Sequence, residues 1–560
     1  MKLKGAQLFV EILKSEGIGH VFGVSGSVTL PILDVLYGES KIRYIQSQHE
    51  QNGMYMANGY ARATKTAGVC LVSPGPGITN CVTPVAQAYY TSTPVVLVGV
   101  EYDAGSHGLG SALHHDLEAV PIFKPVTKLS FRIERVERLL PSLQMALRTA
   151  LSGRKGPVYL GIARNILNEE VEIETLAPQR GKTEFAHPAD PASIARAADL
   201  LMEAKRPVAL AGGGVAWAQA EDVLLELAGH LGMPVAVTGH HKGLIPDDHP
   251  LALGIVCQHG PPVTMEMMRN ADVLLAIGCT YNNFLGSRSF GYRIMDKGKR
   301  IIQVDIDPTE IGKVYQPEVG VLGDARSVVK DILREIRARK PDGRPVADFP
   351  RIEELARRKN EWQASLYDEK TMNKTPIQRI RLLHDLRQAL PRDAVVVGES
   401  GGTNGWYEYA FEALTHNFGV GGWHPLGAEY PETLGVKVAL PDRAVVCLTG
   451  DGSIMMTLQE IATAAMNNID LLCVICRNGS FGNMRHTQLT KYAGRIIGTD
   501  LPACNLADVA RDLGAYGERV ETPDEIIPAI GRAMASGKPA LLEVMIDNSL
   551  ENLEPPSPAA

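Results

Sequence analysis

Two hard oxygen ligands stand 27 residues apart in the stretch LTGDGSIMMTLQEIATAAMNNIDLLCVICRNGSFG: the carboxylate of Asp451 and the amide oxygen of Asn478. An apolar run ends at Gly450 immediately before Asp451, and a second apolar run ends at Asn478. The separation suits one turn, one crossover helix and one strand. That arrangement sets both residues at the carboxyl ends of parallel strands, where open α/β sheets bind ligands. A carboxylate, an amide oxygen and a nearby backbone carbonyl suit Mg²⁺, which fills its remaining positions with phosphate oxygens. The turn of Gly450, Asp451, Gly452 and Ser453 leaves backbone N–H groups to meet those phosphates. The chemistry implied is a divalent cation holding a diphosphate. Thr457 and Glu460 fit a capping box that opens the crossover helix.

The elements around this pair predict an α/β fold of three doubly wound domains with mainly parallel sheets. Short apolar runs (HVFGVSG, AGVCLVSPGPG, TPVVLVGV, GPVYLGI) alternate with helical stretches over residues 1–178. A polar, Pro-containing stretch at 176–190 reads as a linker. A second α/β segment spans 190–338, with strands expected in PVALAGGG, MPVAVTG, ADVLLAIGC and RIIQVDID, and ARKPDGRPVADFP reads as the next linker. The third segment, 370–548, carries AVVVGES, AVVCLTGDG, DLLCVICRNG and ALLEVMID. Val69-Cys70-Leu71 and Val446-Cys447-Leu448 each lead into a Gly-rich turn, a short echo hinting that the first and third segments share a topology.

Bulk composition excludes several classes. The chain has 560 residues, too many for one core, with a net charge of −7 and no basic stretch, so no nucleic-acid partner is expected. No apolar run reaches the roughly 18 residues of a membrane span, and the N-terminus reads as an amphipathic helix interrupted by Glu11 and Glu16 rather than a signal peptide. The eight cysteines are scattered. Cys473 and Cys476 form a CxxC inside a strand-like run, which points to reduced core thiols and a cytoplasmic location.

The motifs together resemble the thiamine-diphosphate enzymes of the acetolactate synthase, benzoylformate decarboxylase and pyruvate decarboxylase superfamily. The features are QHEQ at 48–51, NGYAR at 58–62, GPGITN at 75–80, TPV at 93–95, DIDPTEIGK at 305–313, PLGAEYPETLG at 425–435, and GDGS followed by N-G-x-x-G. They cover nearly the whole chain in the expected order. The resemblance implies thiamine diphosphate and Mg²⁺ as cofactors. Asp451, Asn478 and the backbone carbonyl of Ser480 would be the metal ligands, and Gly452 and Ser453 would touch the diphosphate. Glu50 falls on the family's glutamate at the pyrimidine ring, where a carboxyl group promotes the imino tautomer that activates the thiazolium carbon. Leu426 falls on the bulky residue beneath the cofactor, where acetolactate synthases usually carry Met. Gly75, Glu399, Gly450, Phe481 and Gly482 complete the implied cofactor-binding set.

His114 and His115 depart from the Phe-Gln-Glu that acetolactate synthases carry at this point and are similar to a His-His pair of pyruvate decarboxylases. They are candidate acid–base groups on the substrate side, and Glu399, His424 and His486 are further candidates for the same cleft. In the central domain, Gly212-Gly213-Gly214 follows a strand, and relatives use this domain for FAD or ADP while others leave it empty; YNNFLGSR, 281–288, lacks the Arg that acetolactate synthases carry near this point for FAD, which favours a purely structural domain. The expected activity is a decarboxylase or carboligase acting on a 2-keto acid. The alternatives are a lyase cleaving 2-hydroxy ketones or 2-hydroxyacyl thioesters without decarboxylation, and a catalytically silent regulatory relative. A NAD(P) oxidoreductase would need a dinucleotide fingerprint that the first and third domains lack. Small-molecule keto acids and aldehydes or ketones are the expected partners, with a homodimer or homotetramer implied because family members face the glutamate of one chain to the diphosphate site of another.

Overall fold

A computed structural model describes residues 1–177, 189–257, 259–281, 298–342, 350–419 and 423–555. The stretches 178–188 and 343–349, most of YNNFLGSR and the last five residues of the chain lie outside the described residues.

Each domain holds a six-stranded parallel sheet with helices on its faces. In the first, the strands lie in the spatial order Arg43–Gln46, His20–Gly23, Gly68–Val72, Val95–Glu101, Val158–Ala163, Leu129–Ile133. In the third, the order is Phe418–Gly419, Val395–Gly398, Val445–Gly450, Leu472–Arg477, Ala540–Met545, Tyr516–Val520. Numbered within each domain, both sheets read 2-1-3-4-6-5. The short echo in the sequence therefore marks the third strand of two domains with one topology. The central sheet differs, with Ala252–Val256, Val235–Thr238, Pro207–Ala211, Val273–Ile277, Arg300–Asp305 and Val319–Leu322 in the order 3-2-1-4-5-6 of nucleotide-binding folds. A small antiparallel pair, Lys2–Lys4 with Glu170–Glu172, ties the N-terminus to the end of the first domain.

The central strands are almost wholly apolar because helices cover both faces; Gly68–Val72, Val95–Glu101 and Val158–Ala163 are buried at every residue, Glu101 included. These continuous apolar runs are the ones evident in the sequence. Strands of mixed polarity at or near the sheet edges, such as Leu129–Ile133 and Tyr516–Val520, are half-exposed and carry no such signal. Cys473 and Cys476 are buried in the strand Leu472–Arg477, and all eight cysteines are free. No helix among the described residues is long and apolar enough to cross a membrane.

The capping box expected at Thr457–Glu460 is not formed. The helix runs Glu460–Asn467 with Gln459 at its cap position, and the Glu460 side chain turns to the first domain. There its carboxylate accepts the Asn52 amide at 2.8 Å and the Gln48 backbone N–H at 3.1 Å. A carboxylate buried at 0% exposure between two domains is better satisfied by those donors than by its own helix end.

The first and third domains meet through the helices Glu50–Thr64 and Glu429–Ala439. A methyl group at Gly59 would collide with the carbonyl of Glu432, and one at Gly435 with the carbonyl of Met56. Beside this contact Arg62 pairs with Glu432 at 3.0 Å, and Gln87 donates to the other Glu432 oxygen at 2.6 Å. We expect Gly435→Ala to lower the unfolding free energy by about 1–3 kcal/mol through overpacking. Gly531→Ala, on the exposed face of the helix Ile526–Ala535 with nothing near its added methyl, should unfold in urea at or above the wild-type midpoint.

Candidate active site

The third sheet reverses its strand order between Val395–Gly398 and Val445–Gly450, and the crevice at such a switch point is the usual ligand site of an open α/β sheet. Glu399 leaves the first of these strands and Asp451 the second. Next to them Gly450 lies opposite Cys476 in parallel register, so Asp451 and Asn478 emerge side by side. The carboxylate of Asp451, 1% exposed, ties the two strand ends together. One oxygen accepts the backbone N–H of Asn478 at 3.1 Å and of Gly479 at 2.6 Å, together with the Arg477 guanidinium at 3.0 Å; the other accepts the Gly452 N–H at 2.9 Å. Burial pushes the Asp451 carboxyl above its usual range, and the Gly479 N–H and Arg477 pull it back.

A cavity of about 380 Å³ opens at this point, within the range of small-molecule pockets. Gly450, Asp451, Gly452 and Ser453 form one side; Asn478, Ser480, Phe481 and Gly482 form the next. Glu399, His424 and Leu426 also line it. Leu426 is 37% exposed into this space at the head of the helix Glu429–Ala439, and the turn behind it is fixed by the Gly427 N–H donating to the Ser453 hydroxyl at 2.8 Å. The oxygens of Asp451 and Asn478 therefore share one cavity with the turn Gly450–Ser453. A carboxylate and an amide oxygen, with the Ser480 carbonyl nearby, are donors of the kind a hard divalent cation takes.

Glu399 sits behind the turn, its carboxylate accepting the Gly450 N–H at 2.7 Å. Burial, and then the neighbouring Glu429, push its carboxyl up to about 8. Four further groups in the cavity were not evident in the sequence: Arg379, Cys257, His259 and Glu408. Glu408 accepts the Cys257 thiol at 3.3 Å, and burial raises its carboxyl to about 7. The first two of the set come from a helix and a strand remote in sequence, and nothing near them resembles a motif. Asn548 was missed as well: its side-chain oxygen accepts the Asn478 amide at 3.3 Å and the Ser480 hydroxyl at 3.0 Å, which orients both residues. His486 does not line the cavity; its ring lies 3.8 Å from Glu554, which does.

The remaining candidates assemble on the first domain. Glu50 opens the helix Glu50–Thr64, capped by the His49 ring accepting the Gln51 N–H. Its carboxylate accepts the Asn80 amide at 3.0 Å and lies against Gly77. His115, held at φ 63°, packs on Gly75, and the His114 and His115 rings stack at 3.6 Å. Glu50 is half-buried and His114 and His115 are exposed, with the buried Gly75 beneath the His115 ring. Among the described residues, none from the first domain lines the Asp451 cavity of the same chain.

A second cavity, of about 160 Å³, lies at Gly212–Gly214 between the domains, lined by Asp305 and Asp324 of the central domain, Arg154 of the first and Phe418 of the third. Gly278, at φ 55°, packs directly on the backbone of Gly214, so these glycines already serve a close contact between two strand ends.

The sequence matches three family profiles in chain order. These are the thiamine pyrophosphate enzyme N-terminal TPP binding domain over residues 3–121, the central domain over 194–332, and the C-terminal TPP binding domain over 399–544. A probable acetolactate synthase large subunit of Methanocaldococcus jannaschii is 32% identical, the match covering 97% of this chain and 92% of that protein. A sulfoacetaldehyde acetyltransferase of Castellaniella defragrans is 31% identical over 97% of this chain and 93% of its own length. An acetolactate synthase isozyme 3 large subunit of Escherichia coli K12 is 30% identical over 98% and 95%. The chain belongs to the thiamine pyrophosphate enzyme family, within the superfamily that includes acetolactate synthase and pyruvate decarboxylase. Thiamine diphosphate fits the cavity: the glycine turn, the oxygen donors and the apolar Leu426 are the features its diphosphate and rings require. We expect Asn548→Ala, which releases Asn478 and Ser480, to weaken cation-dependent cofactor binding about tenfold in calorimetry while the melting temperature stays close to wild type.

Proposed function

We propose that the protein is a thiamine-diphosphate- and Mg²⁺-dependent decarboxylase or carboligase acting on a 2-keto acid. The single observation that carries the reading is the Asp451 cavity, where oxygen donors, a glycine turn and a bulky apolar residue converge. Asp451, Asn478 and the Ser480 carbonyl would hold Mg²⁺. Gly452 and Ser453 would meet the diphosphate, and Leu426 would support the cofactor rings. Bound there, thiamine diphosphate supplies a nucleophilic carbon and an electron sink for breaking or making a bond beside a carbonyl.

Glu50 would hold and return a proton at the pyrimidine ring, with Asn80 fixing the orientation of its carboxyl. Gly77 leaves open beside that carboxyl the space a side chain would take. His114 and His115, beside Gly75, would exchange protons with substrate oxygens. These groups stand apart from the Asp451 cavity of their own chain, which supports a homodimer or homotetramer in which the first domain of one copy completes the cavity of another. The cavity at Gly212–Gly214, at about 160 Å³, is below the roughly 300–1,000 Å³ of ligand pockets. That size favours a structural role over a bound FAD or ADP, and purified protein should show no flavin absorbance.

Three measurements test the reading. Apo-protein given thiamine diphosphate and Mg²⁺ should release CO₂ from 2-keto acids, and omission of either should abolish release. Cofactor binding with cleavage of 2-hydroxy ketones and no CO₂ would favour the lyase alternative. Glu50→Gln should lower kcat at least about 100-fold with cofactor affinity nearly intact. Mixing Glu50→Gln with Asp451→Ala chains should restore part of the activity through hybrid dimers; two inactive variants that stay inactive when reassembled would remove the shared-site proposal.

A further inference from the structure

The Asp451 cavity carries an imidazole to which the proposed function gives no task. His424 lies two residues before Leu426 and lines the cavity. Its backbone is held at φ 49°, in the left-handed region where a side chain is strained and glycine is not. Such strain persists only where the surroundings impose it, and it gathers at functional positions.

Here the surroundings are explicit. The Ser400 hydroxyl donates to the His424 carbonyl at 3.2 Å. Three residues on, the turn is fixed by the Gly427 N–H donating to the Ser453 hydroxyl. The ring meets the edge of His240, with centroids 5.6 Å apart and planes at 62°. His240 comes from the central domain and lines both the Asp451 cavity and the cavity at Gly212–Gly214. Burial lowers His424 to about 4 and His240 to about 3, so both rings are neutral at neutral pH. A neutral imidazole facing a reaction cavity is a proton acceptor ready for use.

Resting on the thiamine-diphosphate reading, we propose that His424 is an acid–base residue of the carbon–carbon bond step, holding the proton of the reacting substrate oxygen. Decarboxylation itself releases CO₂ without the bonding pair and needs no such transfer; where the bond broken joins a hydroxyl-bearing carbon to its neighbour, the hydroxyl gives its proton to a His424 ring nitrogen. The O–H electron pair becomes the second bond of the carbonyl, and the pair of the breaking bond leaves with the departing carbon. The proton is then available to that carbon. In the bond-forming direction the same proton returns to the oxygen as the carbonyl is converted to a hydroxyl. His240 restricts the turning of the His424 ring, so that its nitrogen meets the oxygen from one side.

The test is His424→Gly in the holoenzyme, because glycine adopts the backbone conformation with less strain and the variant keeps its fold. We expect the Kd for thiamine diphosphate, and the rate at which the cofactor C2 proton exchanges with D₂O, to stay within about threefold of wild type. We expect kcat for product formation to fall about 100-fold, and added imidazole to restore at least about tenfold of that loss. A kcat within threefold of wild type overturns the proposal. So does a loss that imidazole does not rescue, or one matched by weaker binding and slower C2 exchange, since a structural role would give that pattern. A wild-type protein that binds cofactor but neither releases CO₂ from 2-keto acids nor cleaves a carbon–carbon bond overturns the proposed function itself, and this inference falls with it.

Discussion

The buried carboxylate of Asp451 is the fixed point of the molecule. At 1% exposure it must be satisfied by the protein, and it takes donors from both sides of the gap between two parallel strands. Without those donors a buried charge is costly by several kcal/mol. With them it locks the turn after one strand to the turn after the next. Arg477, one of the donors, also reaches the Pro502 carbonyl at 2.6 Å and lies 3.4 Å from Glu543, which links the knot to the neighbouring strand Ala540–Met545. The position of Asn478, and through Asn548 that of Ser480, follows from this arrangement rather than from their own loops.

The second constraint is the joint between the first and third domains. Polar groups are unusually frequent there: Arg62, Glu432 and Gln87 on one side, Glu460, Asn52 and Gln48 on the other. An apolar joint could slide; one built on a buried ion pair and buried hydrogen bonds favours the one arrangement in which they form. The helix Glu50–Thr64 is held by this joint, so Glu50 and the Gly75–His115 group are presented on a rigid support. His240, from the central domain, lines both the Asp451 cavity and the cavity at Gly212–Gly214.

What could be read from the sequence was what is local in it. Asp451 and Asn478 belong to one strand–turn–helix–strand unit, so their meeting follows from spacing, and the fully buried strands show as unbroken apolar runs. Glu460 was misread because a capping box is a local rule, and a contact 412 residues away in sequence outweighed it. Arg379, Cys257, His259 and Glu408 reach the cavity, and Asn548 reaches Asn478 and Ser480 beside it, from segments whose own residues carry no pattern. Their presence depends on how three domains pack. The separation of Glu50 from the Asp451 cavity of its own chain is likewise a property of domain packing, to which strand and helix periods are blind.

One feature of the cavity bears on how an anion can bind it at all. Behind the turn Gly450–Ser453 lie two buried carboxyl groups, Glu399 and Glu429, both near the Thr449 hydroxyl, which donates to Glu429 at 2.6 Å. If both were ionised they would repel a diphosphate placed on the turn in front of them. Burial, and then the neighbouring Glu429, push Glu399 up to about 8, and burial raises Glu429 as well, so at neutral pH Glu399 retains its proton. A neutral Glu399 still organises the turn, since a carboxyl oxygen accepts the Gly450 N–H whether or not the group is ionised. The fold therefore keeps the geometry a carboxylate would give while removing most of its charge, and leaves Asp451 as the acidic group whose compensation is built from N–H donors and Arg477.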